Sequence, residues 1–506
     1  MRLATLLRPL HSFLKLNQPK RNCHRLASRS LATRRLVLES LEVRQVFSAT
    51  FGAALSFGND SSGATIAYDV ATDTAGNSYM TGYFNGTVDF DESALHSGDT
   101  DILTALGNGD AFVAKYAPDN SLVWARRMGG VTNATTIGTP NDTGRTLVVD
   151  RSGNVFVAGQ FLNSADFGST ILSSTGTGVD GFVTKLDASG TFQWAKRFGT
   201  SMDDSVDGVG IDSSGNVYTL NNNSSGYDIL KFNSTGSAVW TKSIATTVIG
   251  RLSTNGLAVS PSGNVFVAGS FYNTVDFDPS SKTYNVTNPG GTIVGGFVLK
   301  LDTNGKFGWV SNFAGQTGGA SFGRSNAQSV ALDGSGNVVV GGIYSESVDF
   351  QPGSGITTLP AVGGVFITKL NSSGGLVWAR ALEKGIGNSN PYVPGLAVDS
   401  AGSIYAAGSF SGTIDLDPGT GTDVRTSAGG LDIFVVKLTA VGNYSWGESF
   451  GGTGSDAAFG IAVDSTGDVH LAGYYQNMVD FDPTNGTFYL TTNGVSKAFR
   501  LRLRQV

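Results

Sequence analysis

Four pairs of aspartates stand two residues apart: Asp89 and Asp91, Asp276 and Asp278, Asp415 and Asp417, and Asp480 and Asp482. They lie in fuller or looser copies of the segment Val-Asp-Phe-Asp-Pro, always five residues after a Phe or Tyr that ends a strand-like run. Side chains at i and i+2 of an extended segment share a face, so each pair offers hard oxygens to a cation such as Ca2+. Two further copies, at Asp166 and Asp349, carry Gly168 and Gln351 at the second position. A calcium ion takes about six to eight oxygens. The same residues also build turns, because Asp bonds its own backbone and Pro presets φ. We favour the turn-forming reading and keep the eight paired aspartates as weak Ca2+ candidates.

Other chemistry-bearing residues are few. Histidine occurs four times, and His470 takes a strand position filled elsewhere by Phe156, Phe266 or Tyr405, which marks it as a packed aromatic substitute. His11 and His24 lie in the N-terminal tail and His96 in a variable loop. A lysine recurs at the end of one strand from Lys115 to Lys437; it reads as a guard against edge pairing or as a polyanion-binding ring. The acidic body opposes the second reading. No nucleophile stands with a base, and no HExxH, P-loop or nucleotide fingerprint appears. No catalytic or cofactor-binding residue is therefore assigned.

The elements that carry these residues repeat. A turn Asp-x-x-Gly, usually followed by Asn, recurs at Gly76, Gly153, Gly215, Gly263, Gly336, Gly402 and Gly467, with Ser260 replacing Asp once. Asp or Ser opens a type I turn through its own backbone, and Gly accepts the left-handed conformation that closes the hairpin. Alternating strands flank each turn, such as 256–259 before and 264–269 after. A third strand of the form Phe-Val-x-Lys follows, then a second tight turn and a fourth strand. All six tryptophans fall on that fourth strand: Trp124, Trp194, Trp240, Trp309, Trp378 and Trp446. Five stand four residues after the second-turn glycine, and Asn120 replaces that glycine in the first copy. One tryptophan at one repeat position indicates packing.

Four antiparallel strands in seven copies predict an all-β, seven-bladed β-propeller over residues 50–506. A superhelical stack is the other arrangement of such repeats. The seventh copy stops after its third strand, however, and its missing strand matches 51–58, with Ala53 at the tryptophan position. The N-terminal strand is thus expected to complete the last blade and close the ring.

Composition agrees. Of 506 residues 70 are Gly, charged residues are 15% and hydrophobic residues 40%, which suits a Gly-rich all-β chain with ample core. Residues 1–46 hold ten Lys/Arg against two Glu, while the whole chain is −6; the body is acidic and nucleic acid is not an expected partner. The single cysteine, Cys23, lies in the tail, so the body has no disulfide. No apolar run reaches the roughly 18 residues of a membrane helix.

Two resemblances follow from these residues. The copies resemble the bacterial SBBP-type β-propeller repeats, over residues 50–503. The stretch 38–49, Leu-Glu-Ser-Leu-Glu-Val-Arg-Gln-Val-Phe-Ser-Ala, is similar to the LEPR-type N-terminal motif of presumed exported planctomycete proteins, with Val43 where that motif has Pro. Residues 1–49 then form an export tail, and the protein belongs to the periplasm, cell surface or medium. A basic leader without an address function is the plainer alternative.

The resemblance implies fold and location and no reaction. The expected function is an exported, non-catalytic scaffold or binding protein, without an obligatory cofactor, monomeric, with a protein or glycan partner at the loop face. Two alternatives stand beside it. One is a propeller enzyme, since the Asp-x-x-Gly-x-x-x-Trp spacing is similar to the tryptophan-docking motif of quinoprotein dehydrogenases; seven blades and a body without cysteine oppose that. The other is a structural element of the cell envelope.

Overall fold

The computed structural model describes residues 49–505 apart from 59–62, 92–101, 131–141, 246–255, 289–293, 316–322, 352, 354 and 386–390. The tail with Cys23, His11, His24 and most of the LEPR-like motif lies outside the described residues, as does His96. The described residues are all-β and belong to one compact unit.

Alternation of apolar and small residues between tight turns gives four-stranded antiparallel meanders. The first is Thr65–Thr72, Ser78–Phe84, Asp110–Tyr116 and Leu122–Met128, hydrogen-bonded in that order. Six further sheets repeat it, and the seven are numbered here from this one. The inner strands are Thr65–Thr72, Thr143–Val149, Ser205–Ile211, Gly256–Val259, Arg324–Leu332, Tyr392–Val398 and Ala457–Val463. Each packs beside the next, and the last packs beside the first. The chain is a seven-bladed β-propeller.

The ring closes as the sequence predicts. Blade 7 takes three strands from the C-terminal end, and its fourth is Ala49–Phe57, which pairs antiparallel with Lys497–Gln505 from Ala49 opposite Gln505 to Phe57 opposite Ala498.

The repeated turns have the expected chemistry. Asp150 Oδ1 accepts the main-chain N–H of Ser152 and Asn154, and Gly153 sits at φ 78° while donating to the Asp150 carbonyl.

The tryptophans hold blade to blade. Trp124 of blade 1 lies over the second-turn glycine of blade 2, where a Cβ added at Gly190 would stand 2.7 Å from the indole, and its Nε1–H donates to the Ala188 carbonyl at 3.2 Å. Trp309 meets Gly374 and the Ser372 carbonyl of blade 5 in the same way, and Trp378 meets Gly442 and the Ala440 carbonyl of blade 6. The exception explains itself. Blade 7 has Ala53 at the tryptophan position, so no indole covers the second turn of blade 1, and Asn120 stands there at φ 74°. Arg502 Nη1 donates to the Pro118 carbonyl at 2.7 Å in place of the missing indole N–H.

The Val-Asp-Phe segments form short two-stranded ribbons in five blades, for example Thr87–Asp89 with Ile102–Thr104. The apolar residues of the segment face inward. Phe90, Phe167, Phe277, Phe350 and Phe481 are fully buried and tilt against third-strand phenylalanines at centroid distances of 4.8 to 5.0 Å. Alternation was legible there, but three residues of it are too short to distinguish strand from bend.

Trp378→Ala is expected to lower the unfolding free energy by about 3 kcal/mol through loss of packing. Gly442→Ala should cost about 1–2 kcal/mol for its left-handed backbone, plus the contact with the indole. The double variant should cost less than the sum, because the added methyl no longer meets Trp378. Urea denaturation of the three variants measures this.

Candidate functional site

The inner strands are not regular. In six blades one residue, or two in blade 6, is extruded from the ladder as a β-bulge: the register steps past Tyr68, Arg145, Asp207, Gln328, Val393 with Pro394, and Phe459. In five of the six a glycine on the second strand makes room, and blade 3 has Asn221 there. A Cβ at Gly82 would lie 1.9 Å from the Ile66 carbonyl oxygen, at Gly159 1.9 Å from that of Thr143, and at Gly408 1.8 Å from that of Tyr392. A side chain at these three positions would push the bulged strand away. Bulges re-aim side chains, and here they aim them at the axis. Five of the extruded positions, Tyr68, Arg145, Asp207, Pro394 and Phe459, line one cavity of about 400 Å3 at the mouth of the central channel. Gln328 is buried beside it and accepts the main-chain N–H of Val393 at 3.0 Å.

The cavity has two unlike walls. On one, Tyr68 and Tyr392 stand 5.2 and 6.3 Å from Phe459, with Tyr83 behind Tyr68 and Tyr474 behind Phe459. On the other, Arg145 donates through Nε and Nη2 to Gln160 Oε1 and lies 3.5 Å from Asp207 Oδ1. Asp207 also accepts from Ser205 Oγ at 2.8 Å and Asn222 Nδ2 at 3.3 Å, so the Asn221-Asn222-Asn223 run that distinguishes the third copy borders this site. Asp69 lies between the walls. It accepts the N–H groups of Val70 and Leu147 and the Thr146 hydroxyl, yet burial pushes its carboxyl up to about 6.

The repeat pattern does not single out these residues, because they stand where the copies differ. A signal was present: the extruded residue stands five before the turn Asp, and that position runs Tyr68, Arg145, Asp207, Gln328, Pro394 and Phe459. The equivalent Asn255 lies outside the described residues. Chemical diversity at one site of an otherwise constant repeat is the mark of a ligand surface on a rigid frame.

The aspartate pairs serve their own turns. Asp276 Oδ1 accepts N–H from Asp278 and Tyr284, Asp415 Oδ1 from Asp417 and Asp423, and Asp480 Oδ1 from Asp482 and Phe488; Asp89 Oδ1 accepts from Asp91. Asp278, Asp417 and Asp482 do the same for Ser280, Gly419 and Thr484. The pairs stand on separate blades, and among the described residues no three His, Cys, Asp or Glu converge as a metal group. Asp415 and Asp417 also line a smaller cavity of about 180 Å3 beside Arg380 and Glu383.

The recurrent lysines do not guard an edge, since the third strand is paired on both sides. Lys115, Lys185, Lys231, Lys300 and Lys437 lie 5.0 to 5.5 Å from the ring of the aromatic opposite them on the second strand. Lys369, which faces Val339, instead pairs with Asp333 at 2.9 Å. His470 is fully buried with Nε2 3.0 Å from Asp464 Oδ2, the place taken by the hydroxyls of Tyr79 on Asp73, Tyr218 on Asp212 and Tyr405 on Asp399. It is the aromatic substitute its position suggests.

No family model matches the chain. An uncharacterized WD repeat-containing protein of Acanthamoeba polyphaga mimivirus is 23% identical over 462 residues, covering 76% of this chain and 32% of that protein. The regulatory protein FlaEY of Caulobacter vibrioides is 30% identical over 133 residues, which are 25% of this chain and 13% of that protein. The chain thus spans about a third of the viral relative's length. Among solved structures, a Dyadobacter fermentans protein of unknown function covers 90% of this chain and 99% of its own at 10% identity and TM-score 0.42. The calcium-binding protein regucalcin of Agrobacterium tumefaciens covers 71% and 86% at 9% identity and TM-score 0.29. With seven four-stranded blades and a WD-repeat relative, the chain is a propeller repeat protein. No helix among the described residues is long and apolar enough to cross a membrane.

Because the folded pKa of Asp69 lies above the ordinary 3.8, its protonated form favours the fold. That contribution is complete below about pH 4 and is lost as pH rises to about 6. Asp69→Asn should flatten this part of the stability profile relative to the wild type, as read by denaturation at a series of pH values.

Proposed function

We propose that this chain is an exported, non-catalytic binding protein of the SBBP-repeat kind, and that it binds a glycan at the mouth of its central channel. One observation carries the reading: five chemically different side chains, all at the same repeat position, are extruded by bulges into one cavity. A packing role would favour one residue type there, as it does for the tryptophans. The two walls match the chemistry of sugars. A pyranose presents an apolar C–H face, which stacks on aromatic rings such as Phe459 and Tyr392, and a rim of hydroxyls, which bond to Arg145, Gln160 and Asp207. The cavity is within the range of small-ligand sites, roughly 300–1,000 Å3. Export rests on the tail's resemblance to the LEPR-type motif.

Screening the purified protein against a glycan array, followed by titration of the hits, tests the reading. Phe459→Ala and Arg145→Ala should each weaken a true hit at least about tenfold, a change of about 1.4 kcal/mol, with the melting temperature little changed. A protein partner captured through other loops, with these variants still binding it, would replace the glycan reading. Turnover of a sugar substrate would replace the non-catalytic one.

A further inference from the structure

One repeat position carries a charge that packing does not explain. Four residues before the turn Asp (Ser260 in blade 4), the inner strand has Gly208, Gly256, Gly395 and Gly460 in four blades. Blade 2 has Thr146 there, blade 5 has Ser329 and blade 1 has Asp69. The small residues follow from close approach between blades. A Cβ at Gly208 would stand 2.6 Å from Leu257 Cβ of the next blade, and one at Gly460 2.6 Å from the Val70 nitrogen. An aspartate at a position that packing reserves for small residues marks a site with another task.

Asp69 lines the channel-mouth cavity. Its Oδ1 accepts the Val70 N–H at 2.8 Å, and its Oδ2 accepts the Leu147 N–H at 2.9 Å and the Thr146 hydroxyl at 3.1 Å. These donors fix the carboxylate and leave Oδ1 able to accept again. No Lys or Arg pairs with it among the described residues. Arg145, the one cationic side chain lining the cavity among them, is engaged by Asp207 and Gln160. The cavity thus holds two carboxylates and one guanidinium, and burial without a counter-charge pushes Asp69 up to about 6. The aromatic wall stands at the same place. Tyr68 directly precedes Asp69, and Phe459 directly precedes Gly460, where a Cβ would lie 2.7 Å from the Asp69 Cα. The rings of Tyr68 and Phe459 are 5.2 Å apart, and Tyr392 adds a third. Aromatic faces attract a cation within about 6 Å of the ring centroid.

We propose that the ligand of the channel mouth is an amino sugar with a free, protonated amine, whose ammonium group is held by Asp69 against the rings of Tyr68 and Phe459. This rests on the glycan reading of the cavity and narrows it to a cationic class. The ammonium supplies the counter-charge that Asp69 lacks, and its donors meet the remaining acceptor capacity of Oδ1 in a charge-assisted hydrogen bond. An N-acetylated sugar brings no charge and leaves the carboxylate unpaired. A site built for a polar group rejects the analogue without it for that reason.

Calorimetric titration of the full chain with a glucosamine oligomer and with its N-acetylated counterpart tests it, at about pH 6.5, where a primary amine is protonated. The free-amine oligomer should bind at least about tenfold tighter. Asp69→Asn should bring the two affinities within about twofold of each other. Should that variant fail to fold, Asp69→Ser makes the same test with the residue that blade 5 carries at this position. Equal or tighter binding of the N-acetylated oligomer by the wild type overturns the proposal and leaves the glycan reading standing. An amine preference that survives the Asp69 variants also overturns it, by placing the charge on another carboxylate such as Asp207. Failure of both oligomers to bind overturns it as well. The glycan reading falls with it only if no neutral sugar binds in a manner sensitive to Phe459→Ala.

Discussion

The ring depends on contacts between an indole and the turn glycine of the following blade, as Trp124, Trp194, Trp309 and Trp378 make with Gly190, Gly236, Gly374 and Gly442. A four-stranded meander leaves apolar surface on both faces and cannot bury it alone, so the blades are stable only when stacked. The indole on the outer strand reaches across the junction and covers the turn that follows the next blade's third strand, and Trp124, Trp240, Trp309 and Trp378 donate to that turn's carbonyl. The turn must then be glycine for two reasons: its φ is positive, and a Cβ would collide with the ring. Blade 1 shows the dependence from the other side. No indole overlies its turn, and Asn120 is accommodated.

Closure of the ring has a consequence for the whole body. The strand Ala49–Phe57 pairs with Lys497–Gln505, so the two ends of the body share one sheet and neither exposes a free ladder edge along that pairing. The junction is the least regular of the seven. Ala53 stands for Trp, Arg502 donates in place of the indole, and the buried Arg500 lies over Tyr116 of blade 1 at 5.3 Å. Arginine chemistry thus replaces tryptophan chemistry where the chain had to be joined to itself.

Rigid stacking lets the inner strands deviate without loss of the frame. Five of the six bulges sit against a second-strand glycine, and each bulge yields a side chain aimed at the channel. The repeat therefore contains two kinds of position. Tryptophans, turn glycines and the ribbon phenylalanines are held constant by packing between neighbours. The extruded residues meet one another across the cavity, Tyr68 against Phe459 and Arg145 against Asp207, and no turn or indole fixes their type, which is why the channel mouth can be aromatic on one side and charged on the other.

The sequence by itself determined the number of blades, the strand order, the turns and the closing strand, because each is set by local periodicity or by a pattern repeated at one spacing. The structural role of His470 was legible too, since the copies aligned it with the aromatics Phe156, Phe266 and Tyr405. Three features only the tertiary structure decided. The channel-mouth cavity joins residues from five inner strands spread over Tyr68 to Phe459, and the extrusion of those residues is invisible in an alternating pattern. The lysines read as edge guards lie over aromatic rings, because strand pairing on both sides removes the edge. The Asp110 and Asp142 carboxylates converge at Gly129 across a blade junction, which no single repeat contains. In each case the deciding contact lies between blades, whereas the sequence pattern describes one blade at a time.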